Sequence, residues 1–253
     1  MNTTSLIIAS LLILVPISIS YKEGLGLEKD IVVSMIRAII QLIIVGYVLE
    51  EMFQLKNAIV TLVIVIIMIF NATINTRKRG GNIERVMTIS FLSIFVGVSI
   101  ILTVLVISGA IKFVANEVIP IAGMIINNAM IAIGLSYRNL NTAFRVRRAE
   151  IEAKLSLGAD VKEASKSVIK ESIKLAIIPT IDSAKTLGIV SLPGMMSGLI
   201  LAGVSPLEAI KFQIMVTFMI VSSSAIAAMI STYFGYRYFF NDRKQLKLLQ
   251  EIG

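Results

Sequence analysis

Six polar side chains stand inside stretches that are otherwise almost wholly apolar, and their types and spacing limit the chemistry available to the chain. Arg37 and Gln41 are four residues apart, Asn127 and Asn128 are adjacent, and Asp182 precedes Lys185 by three. On a helix such intervals are one turn, so Arg37 shares a face with Gln41, and Asp182 with Lys185. Charges and carboxamides held in hydrocarbon are costly, and they mark pathways, relays or pairing between helices. The chain has no Cys and no His. Disulfides, Cys/His metal centres, thiol nucleophiles and imidazole acid–base chemistry are therefore excluded. A metal ion handled here would have to meet oxygen ligands or methionine sulfur, and no ligand set can be assigned from the sequence. The glycine-rich phosphate loop ending in Gly-Lys-Ser/Thr is also missing, so no cofactor is expected in this chain and ATP would be used by another.

The elements that must position these residues are membrane spans. With 253 residues, 56% of them hydrophobic, several runs approach or exceed the roughly 18 to 20 apolar residues that cross a bilayer. The expectation is an all-α polytopic membrane protein, one transmembrane domain over 1–253, with about seven helices. They fall near Ser5–Ser20, Ile31–Leu49, Ala58–Asn75, Val86–Ser108, Ile119–Ser136, Leu175–Leu192 and Phe212–Tyr236. The first is read as a retained span because no basic residue precedes it and no small-residue cleavage pattern follows. Nineteen of the 24 Lys and Arg fall in loops on one side and only Lys56, Lys112 and Lys211 on the other. That asymmetry makes the basic side cytoplasmic, the N-terminus outside and the C-terminus inside. It also accounts for the formal charge of +8 without nucleic acid as a partner, since anionic lipid attracts the same loops.

Depth follows from 1.5 Å of rise per residue. Arg37 lies about 9 Å and Asp182 about 10 Å from the cytoplasmic end of their spans, which permits an ion pair between them. Lys185 is deeper, and Gln41, Asn127 and Asn128 reach a similar level. Arg37, Gln41, Asn127, Asn128, Asp182 and Lys185 are thus candidates for a hydrophilic path. Interhelical hydrogen bonding is the simpler role for the asparagines, and Asn71, Thr73 and Asn75 read as satisfying a helix end. Lys185 would repel a bare metal cation unless Asp182 neutralises it. Pro193-Gly194 interrupts the sixth apolar stretch and is a candidate hinge. Leu175–Gly203 is either one kinked helix or a span followed by a re-entrant turn.

Between Tyr137 and Lys174 the chain leaves the membrane for its longest charged stretch. Asp160 is placed to cap a helix, with Glu163 three residues on to complete a capping box. Leu157, Val161, Ala164 and Val168 then recur at helical spacing, while Lys162, Lys166, Lys170 and Glu171 occupy the other face. Gly158 supplies the backbone freedom for a sharp turn between two short helices. The stretch is either an interfacial helix on lipid headgroups or a knob that a soluble partner grips.

Glu152-Ala153 with Gly158 resembles the start of the EAA loop by which bacterial ABC-transporter permeases dock on their ATPases. The later part departs, with Lys170-Glu171 where Leu-Pro is expected. A wider resemblance covers nearly the whole chain. Arg37 to Leu49, Val118 to Met124, Leu155 to Ala159, Ile178 to Thr186, Ser191 to Gly198 and Ser205-Pro206 look like the FetB-like permeases of the iron-export ABC family. The resemblance implies an inner-membrane permease paired with a FetA-like ATPase, with Glu152, Leu157, Gly158, Ala159, Asp160 and Val161 in the coupling loop. It also implies iron or an iron complex as cargo, and a permease homodimer is the expected assembly. Plant relatives point to aluminium tolerance and a nucleotide sugar. A proton-driven carrier using Asp182 and Lys185, and a sensor or scaffold, are the readings from other classes; neither requires a partner-binding knob.

Overall fold

The computed structural model describes residues 3–54, 57–81 and 83–247, and these are helical with no extended strand. In hydrocarbon each backbone N–H and C=O must be paired within the chain, and a helix does this inside one segment. Five helices are long and apolar enough to cross a bilayer, at Glu28–Tyr47, Ala58–Arg77, Val86–Ile107, Ala115–Val146 and Pro206–Phe239, with a shorter one at Ile8–Lys22. The chain is therefore an all-α polytopic membrane protein. It divides into two compact units, Met1–Lys56 and Asn57–Gly253.

In the first unit, α1 (Thr3–Ser10), a 3-10 turn (Leu11–Ile13) and α2 (Leu14–Lys22) follow one another, and α3 (Glu28–Gln54) comes after a short turn. Gly24 and Gly26 hold the left-handed conformations of that turn (φ +63° and +68°). Ser20 braces it, donating to the Glu28 carboxylate at 2.6 Å and accepting from the Leu27 amide at 3.0 Å.

The second unit holds α4 (Ala58–Arg77), α5 (Val86–Ile107), α6 (Ala115–Val146), α7 (Arg148–Ser156), α8 (Val161–Ala164), α9 (Lys166–Thr186), α10 (Gly194–Leu201) and α11 (Pro206–Gly235). The starts follow local chemistry: Asn57 accepts from the Ile59 amide to cap α4, and Ser205 caps α11 just ahead of Pro206. In the middle stands α6, packed on α4, α5, α9 and α11. Tyr137, Phe144, Ile125, Ile133 and Leu140 of this helix are fully buried. Ala132, Ala176 and Ala228 meet where α6, α9 and α11 converge, since small residues let backbones approach closely. Hydroxyls tie the helices: Ser90 to Tyr137 at 3.0 Å, Ser223 to the Ile125 carbonyl at 2.7 Å, and Thr180 to Ser224 at 3.2 Å.

The sixth expected span, Leu175–Leu192, differs from its reading. The helix that enters it begins outside, at Lys166, and ends at Thr186. Leu187 turns extended, Gly188 adopts φ +82°, and Leu187 bridges Ser191. A short helix, α10, then starts behind Pro193. Leu175–Gly203 is therefore two helical arms joined by a turn rather than one kinked helix. The physical cause is local: Gly188 takes a left-handed angle that ends the helix, and Pro193 disfavours helical geometry in the residue before it.

Candidate functional site

Asp182 and Lys185 lie one turn apart on α9, and the Lys185 ammonium donates to the Asp182 carboxylate at 2.8 Å. Their side chains are 58% and 68% exposed, so the pair stands on the outside of the second unit's core. The expected neutralisation of Lys185 is thus present within one helix. Arg37 and Gln41 sit one turn apart on α3 of the first unit, both exposed.

The adjacent asparagines part company. Asn128 turns back on its own helix and donates to the Met124 carbonyl at 2.9 Å. Asn127 instead lines an open pocket of about 340 Å³ between α4 and α6, together with Asn71, Asn75, Met68 and Met130. Asn75 donates to the carbonyl and side-chain oxygen of Asn71 at 2.9 and 3.2 Å, which is the helix-satisfying role expected of that pair. Their common pocket with Asn127 was not legible from spacing within α4 alone. Among the described residues no cluster of three or more Asp or Glu is arranged to hold a metal ion.

The charged stretch folds as two short helices, α7 and α8, leading into α9. Arg147 and Arg148 open α7, whose surface carries the pairs Arg148–Glu152 and Glu150–Lys154. Lys154 holds the Glu150 carboxyl below its ordinary range, chiefly by hydrogen bonding. After Ser156 the backbone turns at Gly158 (φ +89°). The Gly158 amide reaches the Leu155 carbonyl and the Ala159 amide the Lys154 carbonyl, both at 3.0 Å. That pairing is a Schellman stop, which needs a left-handed residue at the glycine position. Leu155, Ala159 and Val161 pack toward the core, and Ala164 and Val168 are buried. Leu157, expected in the same stripe, projects from the tip with 88% of its surface exposed.

The capping box does not form. Asp160 occupies the N-cap position of α8 without a side-chain capping bond. Its carboxylate instead accepts from Lys244 at 3.1 Å, and Glu163 pairs with Lys166. Lys244 draws the Asp160 carboxyl below its usual range, helped by the neighbouring Val161 amide. Lys247 does the same to Glu84, at 2.7 Å. Both lysines come from a C-terminal hairpin in which Phe240 bridges Leu246 and Lys244 takes φ +61°. Phe239 anchors this clasp by stacking on Phe144 with ring centres 4.2 Å apart. An Arg147–Glu171 pair ties the start of the knob to α9. The clasp was missed by sequence reasoning, because nothing in the local pattern says that Lys244 and Lys247 meet acids 84 and 163 positions away. Pro193 and Gly194 stand at the start of α10, after the break that follows α9.

Spanning helices around a buried α6, with a helical cytoplasmic-type loop braced against a terminal clasp, define an all-α polytopic membrane protein. By sequence, the chain belongs to the family described as Uncharacterised protein family (UPF0014), whose model matches residues 3–240. It is 53% identical over 246 residues to the "Probable iron export permease protein FetB" of Escherichia coli (strain K12), covering 97% of this chain and 95% of that one. Identity is 34% to the "UPF0014 membrane protein STAR2" of Oryza sativa subsp. japonica, covering 94% and 84%. It is 33% to the "Protein ALUMINUM SENSITIVE 3" of Arabidopsis thaliana, covering 94% and 88%. No solved structure matches the chain.

Proposed function

We propose that the chain is the membrane subunit of an ABC-type exporter in the inner membrane, moving iron or an iron complex with energy from a separate ATPase. The knob is the observation that carries this reading. Its apolar tip at Leu157 is exposed while its base is buried at Ile151, Ala164 and Val168, a shape suited to insertion into another protein. The likeness to an iron export permease supports the cargo. Orientation draws support from the clasp, since Glu84, Asp160 and the C-terminal lysines meet at one end, as cytoplasmic loops must. ATP binding in the partner would close the ATPase pair and move the knob, and α9 would carry that movement to Asp182 and Lys185. Two permease copies would serve two ATPase subunits. The permease itself binds no nucleotide in this scheme.

The test is co-expression with the ATPase encoded beside it, followed by purification and reconstitution. Wild-type permease should retain the ATPase and show iron-stimulated hydrolysis. Gly158→Ala strains a left-handed backbone by roughly 1 to 2 kcal/mol and should release the ATPase while the permease stays folded. Iron export by the permease alone, without any ATPase, would sink the proposal.

A further inference from the structure

If iron crosses this membrane, it must find ligands there, and the chain offers few. Cys and His are missing, and the Asp182 carboxylate is taken by Lys185. Glu28, Asp30, Glu117 and Glu208 lie in the first turns of their helices, and deeper in the second unit's spans the potential ligands are neutral: carboxamide and hydroxyl oxygens, backbone carbonyls and methionine sulfur. The α4–α6 pocket gathers two of these kinds at one place, with Asn71, Asn75 and Asn127 beside Met68 and Met130. The residues form two facing stripes. Met68, Asn71 and Asn75 recur at three and four residues on α4, and Asn127 and Met130 do so on α6. Gly123 makes the room, because a Cβ there would stand 3.1 Å from the Met68 terminal methyl.

A second observation singles out Asn127 on this face. Asn127 is exposed and makes no hydrogen bond among the described residues. It lies about 18 Å along α6 from Ala115, well within the expected hydrocarbon. A carboxamide without a polar partner at that depth is costly, so the side chain favours something polar against it.

We infer that the α4–α6 pocket is a transient coordination point for a divalent iron ion, with carboxamide oxygens from Asn71, Asn75 and Asn127 and thioether sulfur from Met68 and Met130. The inference rests on the iron-export reading for its cargo. A borderline ion accepts oxygen and sulfur together, and thioether sulfur discriminates against magnesium and calcium. Neutral ligands leave the ion's charge uncompensated, so the hold is weak. Weak holding suits a conduit, in which a site must release what it captures.

The test uses the full-length permease in lipid nanodiscs, with and without its ATPase, and Fe²⁺ under anaerobic conditions as probe. X-ray absorption at the iron edge should show sulfur neighbours on wild-type protein and lose them in the Met68→Leu/Met130→Leu double variant. Asn127→Leu, which keeps the branched side-chain shape without its polar atoms, should raise the Fe²⁺ concentration for half-maximal binding about tenfold, the loss expected for about 1.4 kcal/mol. Met229→Leu, outside the pocket, should change neither. Wild-type protein that binds no Fe²⁺, or sulfur scattering that survives the double variant, would each overturn the pocket. Fe²⁺ bound with sulfur neighbours but never exported by the complex would leave the pocket standing and remove the export reading.

Discussion

Asp182 and Lys185 show how two opposite charges one turn apart satisfy each other on a single helix. Each neutralises the other at 2.8 Å, so deleting one leaves its partner without a counter-charge, a modest loss at these exposed positions. Asp182→Asn or Lys185→Met alone should therefore lower membrane abundance and export more than the double variant lowers abundance. Equal abundance of all three variants by quantitative blotting would contradict this. The pair was legible in the sequence because its partners are one turn apart on the same helix. Asn127, Asn71 and Asn75 were not legible as a group, because their meeting depends on which face of α4 turns toward α6. A helix-internal bond also gave Asn71 and Asn75 a sufficient local role. Leu157 escaped for a related reason: helical spacing placed it with buried residues, whereas the Schellman stop at Gly158 ends the helix and turns it outward.

Among the elements, the C-terminal hairpin carries an unexpected duty. It joins the knob through Lys244 and the α4–α5 loop through Lys247, and the Phe239–Phe144 stack fixes it to α6. The aromatic anchor should dominate: Phe239→Ala is expected to cost about 3 to 5 kcal/mol, whereas the exposed ion pairs tune rather than hold. Asp160 and Glu84 both have carboxyls lowered in the folded state. Their contribution is complete above the ordinary carboxylate range and is lost as pH falls through the lowered values. Hydrogen exchange over residues 241–247, corrected for intrinsic rates, should be faster at about pH 3 than at pH 7, and Lys244→Ala should reduce the difference. The long apolar runs were readable as helices because their length alone compels that answer. The clasp and the division after Thr186 were not, since one needs distant partners and the other a choice between two backbone paths through Leu192-Pro193-Gly194.

For the whole molecule, the cysteine-free sequence makes orientation directly measurable. Single cysteines placed at Leu157 and at Lys112 should react with an impermeant maleimide from opposite sides of sealed cells, Lys112→Cys from outside and Leu157→Cys only after permeabilisation. Labelling of Leu157→Cys in intact cells would invert the topology and remove the knob from any cytosolic partner. The form of α9 has a further mechanical consequence. Its 21 residues run unbroken from the knob to Thr186, about 31 Å of helix. A strut of that length neither stretches nor shortens under a push, so a nudge delivered at its foot is carried toward its head. The chain yields at Pro179, which has no amide hydrogen to close its turn of the helix, and more freely beyond Thr186, so the largest excursions of a working cycle should appear at that distant rim.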